Sequence, residues 1–185
     1  MIKDVLTGNE ERMKKAIDAL KKEFASLRAG RATPALLDKV SVDYYGTPTP
    51  VTQVAKVSVP EARMIVIAPY EKQLIKEIEK AIQKSDLGLS PNSDGTVIRL
   101  NIPQLTQERR KEIVKTVGKK AEDAKVAVRN IRRDGNDAIK KLEKSKEATE
   151  DEVKKGQEDM QKLADKFIKE IDVAKAAKEK EIMEV

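Results

Sequence analysis

All seven prolines of this 185-residue chain fall between positions 34 and 103, at 34, 48, 50, 60, 69, 91 and 103. Residues 1–30 and 106–185 contain none. Proline removes a backbone donor and clashes with the preceding helical turn, so proline-free sequence rich in Lys, Glu and Ala favours long helices. The two outer segments are therefore expected to be helical. The middle, residues 31–105, follows another plan.

The outer segments share one apolar period. Met13, Ile17, Leu20, Phe24 and Leu27 step by four, three, four and three. Ile113, Val117, Ala121, Ala124, Val128, Ile131, Gly135, Ile139 and Leu142 continue in similar steps, as do Val153, Met160, Leu163, Phe167, Ile171, Ala174 and Ile182. A seam of period near 3.5 favours helices wrapped into a coiled-coil-like bundle. Thr7-Gly-Asn-Glu10 and Thr149-Glu-Asp-Glu152 match the capping box that marks helix starts, and Thr106 is a candidate cap for the second helix. The break between the second and third helices is expected around Ser145–Thr149. Helices of about 35–40 residues would run about 55–60 Å. Gly118, Gly135 and Gly156 each cost about 1 kcal/mol inside a helix. Close approach of a neighbouring helix accounts for Gly135, which lies on the seam; the pattern explains neither of the other two.

Inside the proline-containing middle, Val40-Ser-Val-Asp-Tyr-Tyr45 and Val57-Ser-Val59 alternate with period two, and Met64-Ile-Val-Ile-Ala68 is a short β-rich run. Glu71 to Lys84 places Leu74, Ile75, Ile78, Ala81 and Ile82 on one helical face. Ser93-Asp-Gly95 reads as a turn before the strand Val97–Ile102, while Tyr44-Tyr45-Gly46 and Pro69-Tyr70-Glu71 read as a strand end and a turn before a helix. The expected fold is α+β: an antiparallel three-helix bundle from residues 1–30 and 106–185, with a small α/β domain (a β/α/β sandwich) inserted at 31–105. Two chain crossings join the parts, so the expected hinge comprises Gly30, Arg31, Ala32, Thr33 and Pro34 on one tether and Pro103, Gln104 and Leu105 on the other.

Charge narrows the function. The chain holds 38 Lys and Arg against 32 Asp and Glu, for a net charge of +6, and the surplus is local. Residues 106–145 carry 13 basic and seven acidic side chains, whereas 146–185 carry nine basic and twelve acidic. The densest basic spot is Arg129-Asn-Ile-Arg132-Arg133, with Lys125 one turn earlier; Arg28 and Arg31 end the first helix and enter the tether. A guanidinium fork bridges phosphate oxygens, whereas an ammonium is a point charge. Two readings stand side by side. The arginines are solvated flanks of a bundle, pairing with Glu122, Asp123 or Asp134, or they bind RNA through its phosphates and shape. Five aromatic residues are too few for a base-stacking platform.

Cysteine and histidine are absent, which excludes disulfides, thiolate and imidazole metal sites, and Cys- or His-based nucleophilic machinery. No Gly-rich phosphate loop occurs. The carboxylates Glu150, Asp151 and Glu152 are more simply explained by the dipole at a helix start than by a metal. No cofactor or metal is expected. The first residues lack an apolar signal stretch and no run nears the ~18 apolar residues of a membrane span, so a cytoplasmic protein without membrane association is expected, acting as a monomer. An RNA chaperone or coiled-coil spacer remains an alternative from another class, and an enzyme a more distant one.

Leu27-Arg-Ala-Gly-Arg-Ala32, Val42-Asp-Tyr-Tyr-Gly46, Ser85-Asp-Leu-Gly-Leu89, Leu105-Thr-Gln-Glu-Arg-Arg110 and Asn130-Ile-Arg-Arg-Asp-Gly-Asn136, in that order, resemble the bacterial ribosome recycling factor family over essentially the whole chain. The resemblance implies an L-shaped molecule likened to transfer RNA. It also implies that, after termination, the factor occupies the large ribosomal subunit and, with elongation factor G and GTP, splits the ribosome. Messenger and transfer RNA then leave, and initiation factor three keeps the subunits apart. By the same resemblance, Arg132 makes the most important contact to large-subunit ribosomal RNA, supported by Arg129, Arg28 and Arg31. The rod would be the anchored part and the inserted domain the part that swings.

Overall fold

The computed structural model describes residues 1–27 and 30–184. In chain order the elements are α1 (Ile2–Ser26), β1 (Ser41–Tyr44), β2 (Thr47–Pro50), a one-turn α2 (Val51–Val54), β3 (Ala55–Glu61), β4 (Met64–Pro69), α3 (Ile75–Lys84), β5 (Pro91–Ser93), β6 (Ile98–Asn101), α4 (Gln107–Lys144) and α5 (Glu150–Met183). Short 3-10 turns at Pro34–Leu37 and Lys72–Leu74 precede β1 and α3. The chain forms two compact units, Met1–Ala29 with Gln107–Val185, and Gly30–Thr106.

In the helical unit α4 has 38 residues and α5 has 34, with α1 shorter at 25. At 1.5 Å per residue the two longer helices run about 50–57 Å. The seam is buried as its period predicts: Met13, Ile17, Leu20 and Phe24 on α1, Ile113 through Ile139 on α4, and Val153, Met160, Phe167 and Ile171 on α5. Ala164 takes the buried place beside Leu163, which is only half-buried. At Gly135 a Cβ would collide with Met160 Cε and Asn9 Nδ2, so close helix approach does explain that glycine. Gly156 has the same explanation, because its Cβ would stand 2.9 Å from Ile2 Cγ2 and 3.4 Å from Ile139 Cδ1. Nothing in the structure explains Gly118.

The starts of the helices divide. Thr149 Oγ1 accepts from the Glu152 backbone N–H at 3.2 Å, the N-cap half of the expected box, and donates to the Glu152 carboxylate at 3.1 Å. The box expected at Thr7–Glu10 is not a start: α1 begins at Ile2, capped by Met1, and Thr7 lies inside it. Ile2, Val5, Leu6 and Asn9 carry the seam a further two turns toward the first residue, and their packing overrides the local cap.

Two buried cations close helix ends. Lys178 Nζ donates at 2.9 Å to the carbonyl of Leu27, the C-cap residue just after α1, and pairs with Glu181 at 3.3 Å. Arg110 Nη1 donates to the Met183 carbonyl at 3.4 Å, the last residue of α5. Both satisfy C-terminal carbonyls that a helix leaves without a partner, and both put positive charge at the negative end of a helix dipole.

The α/β unit is antiparallel throughout. β1 and β2 form a hairpin, and the other strands form a sheet in the order β3-β4-β6-β5. α3 buries Ile75, Ile78 and Ile82 and packs against both β1 and β5, placing a helix in contact with both sheets. The core is apolar, centred on Leu37, Ile65, Ile67, Ile78, Ile82, Ile98 and Leu100. Two strands that periodicity does not announce, β2 and β5, contain Pro48, Pro50 and Pro91. A proline cannot donate to a ladder, so sequence patterns demote such runs; here one lies in a lone hairpin and the other at a sheet edge. β3 is also an edge strand, and its register breaks between Ser58 and Glu61, around Pro60.

Candidate nucleic-acid interface

An α-helix turns 100° per residue, so Lys125, Arg129, Arg132, Arg133 and Asn136 fall along one flank of α4, and Lys125 to Arg133 spans about 12 Å. That flank borders α5. Lys125 Nζ lies 2.6 Å from Asp172 Oδ1, and Arg132 Nη1 donates to Gln161 Oε1 at 2.5 Å. The seam residues Val128 and Ile131 are buried beside these cations, so the helix that places the arginines is itself locked into the core.

Each cation is held differently. Lys125 keeps only 18% of its side chain exposed, and its carboxylate partner on α5 makes it a fastener between helices. Arg129 pairs within α4 with Glu122 at 3.4 Å, one of the partners expected if the charges were only a solvated flank. Arg133 is exposed and makes no hydrogen bond or ion pair among the described residues. Arg132 is half-buried: its Nε edge is turned inward, without a partner among the described residues, and its Nη1 is fixed by an uncharged amide. That amide is fixed in turn, because Gln161 Nε2 donates to Asp165 Oδ1 at 2.9 Å. Asp134, a further acidic neighbour, pairs with Arg12 of α1 at 3.1 Å rather than with an arginine of this flank. Chemically, the result is a strip of guanidinium groups of which Arg132 and Arg133 keep their charge unneutralised. Such a strip suits phosphate oxygens.

Arg28 lies outside the described residues. Arg31 is exposed in the α/β unit beside Gly30, whose φ of 76° is left-handed. A Cβ on Gly30 would stand 3.2 Å from Leu105 Cγ, so the two tethers touch at that point. Ala32 N–H donates to Ala62 O at 2.8 Å, and Ile102 N–H donates to Arg63 O at 2.7 Å. Arg63 Nη1 also reaches Gln104 Oε1 at 3.3 Å. Of the expected hinge residues, then, Ala32 is buried and bonded to the β3–β4 turn, Gln104 is hydrogen-bonded to that turn, and Thr33, Pro34 and Pro103 are exposed.

A second cluster was invisible as a cluster in the sequence. All three tyrosines of the chain meet around Glu71 or line the cleft beside it. Tyr44 and Tyr45 hydroxyls donate to the Glu71 carboxylate at 2.9 and 3.1 Å, and Gln73 Nε2 donates to it at 2.9 Å. The Tyr44 bond does most to hold the Glu71 carboxyl below its ordinary range, and the same bond raises the Tyr44 hydroxyl. Tyr44, Val54, Tyr70 and Leu74 line a cleft of about 350 Å³ there. The two-residue hairpin turn sets Tyr45 at φ 52° and Gly46 at φ 85°, a left-handed pair for which asparagine-glycine is the usual choice. Tyr45 and Tyr70 are exposed at 75% and 70%.

Sequence reasoning missed Gln161 and Asp165, which sit 29 and 33 residues beyond Arg132 on another helix. The only available signal was their i,i+4 spacing beside Met160 on the seam.

A family model described as ribosome recycling factor matches residues 20–183. The ribosome-recycling factor of Desulforamulus reducens is 62% identical over 185 residues, covering all of both chains. That of Caldicellulosiruptor bescii is 65% identical over 176 residues, covering 95% of this chain and 96% of the relative. A solution structure of ribosome recycling factor superposes with a TM-score of 0.80 at 43% identity, covering 100% of this chain and 98% of the other. A second structure, with a TM-score of 0.65 at 42% identity over the whole of both chains, is of the Thermus thermophilus factor, described with Escherichia coli elongation factor G as bound to the E. coli post-termination complex.

Proposed function

The chain belongs to the ribosome recycling factor family, and from that premise we propose that it binds the large ribosomal subunit of post-termination complexes and, with elongation factor G and GTP, splits the ribosome into subunits. Messenger and transfer RNA are then released for a new round of translation. The observation that carries this reading is end-to-end identity of 62% with a ribosome-recycling factor. The arginine flank of α4 supports it with a physical means of gripping RNA.

The protein works as a lever and catalyses no bond change itself. Arg132, Arg129 and Arg133, with Arg28 and Arg31 and the neighbouring charge of Lys125, anchor the helical unit to ribosomal RNA by charge-assisted hydrogen bonds and counterion release. The α/β unit receives the push of elongation factor G and moves on its tethers, Gly30–Pro34 and Pro103–Leu105. The stiffness of α4 and α5 carries the force. The factor acts as a monomer in the cytoplasm, and no helix among the described residues is long and apolar enough to cross a membrane.

The deciding measurement is light scattering of post-termination ribosomes with elongation factor G and GTP, with and without this protein. A drop in scattering that requires the protein is expected; no difference would overturn the reading. Arg132→Ala should weaken binding to the large subunit by about 1.5–3 kcal/mol, or about 10- to 100-fold. Wild-type affinity with an unchanged salt dependence would remove Arg132 as the anchor, and equal binding to naked RNA would favour an RNA chaperone. Gly30→Pro forces a left-handed residue to negative φ and should slow splitting while leaving subunit binding largely intact. Equal loss of both would count against a separate swing.

A further inference from the structure

We propose that Gln161 and Asp165 of α5 are positioning residues for Arg132, holding its guanidinium ready for a phosphate without neutralising it. The inference rests on the reading of Arg132 as a ribosomal RNA contact and adds a second helix to that contact.

Hydrogen-bonding capacity decides how these three side chains link. A guanidinium only donates and an ionised carboxylate only accepts, whereas an amide does both. Gln161 stands between Arg132 and Asp165, with Oε1 toward the arginine and Nε2 toward the aspartate at 2.9 Å. Only one orientation of that amide satisfies both neighbours. Asp165 therefore sets the amide, and the amide sets the arginine. The Nε edge of Arg132 is buried, so the head is constrained from two sides.

The neutrality of the link is what separates Arg132 from the cations around it. Lys125, Arg129 and Arg12 are each held by a carboxylate, at 2.6, 3.4 and 3.1 Å. A phosphate arriving at any of them has to compete with an existing anion. Arg133 has no such competitor, but nothing among the described residues orders it either. Arg132 alone in this group is both ordered and unneutralised. An ordered fork loses less rotamer freedom when it binds.

The test is equilibrium binding of the full-length protein to purified large ribosomal subunits across a salt series, with thermal melting of each variant as a check on folding. Gln161→Ala should bind about 2- to 10-fold more weakly, the scale of one freed side chain, with the salt slope unchanged because no charge is removed. Gln161→Glu places a carboxylate on Arg132; it should bind more weakly than Gln161→Ala and show a shallower slope, approaching Arg132→Ala. Asp165→Ala lets the amide turn over and should weaken binding in the same direction as Gln161→Ala. In the Arg132→Ala background, Gln161→Ala should cost nothing further. Additive losses in that double variant would mean Gln161 serves only helix packing, and would overturn the proposal. So would wild-type binding by Gln161→Glu. If those results came with a weakened Arg132→Ala, the anchor would stand and the positioning role alone would fall. An Arg132→Ala variant that bound like wild type would remove both.

Discussion

The two units of the molecule handle buried polarity in opposite ways. Among the described residues the buried polar side chains are Asn9, Arg110 and Lys178, all in the helical unit, whereas the buried core of the α/β unit is wholly apolar. A bundle seam is narrow, and each helix end exposes carbonyls with no intrahelical partner. Long cations reaching across from a neighbouring helix satisfy them. In the α/β unit, β ladders consume the backbone groups, the core closes on hydrocarbon, and polar clusters such as Tyr44–Tyr45–Glu71 and Asp94–Arg99 stay at the surface. The lesson is that the helical unit depends on specific long-range polar contacts, and the α/β unit on packing and local turns.

The largest expected effect tests whether the two cores are separate. Phe167→Ala empties a fully buried site among the helices, and Ile67→Ala one in the four-stranded sheet. Each should cost about 2–5 kcal/mol. In a thermal melt followed by amide exchange, each should lower protection mainly in its own unit; a uniform loss across both would break the comparison. Next in size is Lys178→Met, which keeps the packed stem and leaves the Leu27 carbonyl without its donor. A loss of about 1–3 kcal/mol is expected. A neutral result by chemical denaturation would mean that the polar closure of the bundle end contributes little.

The smallest effect is local and depends on pH. Asp94 accepts from the backbone N–H groups of Val97 and Thr96 and from Arg99, and these bonds, Val97 first, lower its carboxyl from the ordinary 3.8 to about 2. A carboxyl depressed on folding contributes stability that is complete above its unfolded value and disappears as pH falls through the folded one. Wild type should therefore lose a small increment between pH 3.8 and about 2 that Asp94→Asn lacks, read as the difference between their acid titrations followed by denaturation. Identical curves would show that the turn carries no linkage.

How much of this was legible beforehand differs by element. The buried stripe of α4, Ile113 through Ile139, follows directly from spacing, and so does the cap at Thr149. The start of α1 did not, because Thr7–Glu10 is a sound local signal defeated by the packing of Ile2 and its neighbours. β2 and β5 were hidden by their prolines, which are tolerated only because of where those strands lie in the sheets. Gly156 lacked a reason until Ile2 and Ile139 were seen beside it.

The interface shows the same division. Local chemistry brings Arg129, Arg132 and Arg133 to one flank of α4, because helical rotation is a property of consecutive residues and needs no partner. Arg129 finds its carboxylate, Glu122, seven residues back on α4 itself, but the amide that steadies Arg132 had to arrive from α5. Periodicity and charge act over a few residues and can be read along the chain. A hydrogen bond between positions 132 and 161 exists only because two helices happen to be packed in one register, and that register is a property of the assembled core.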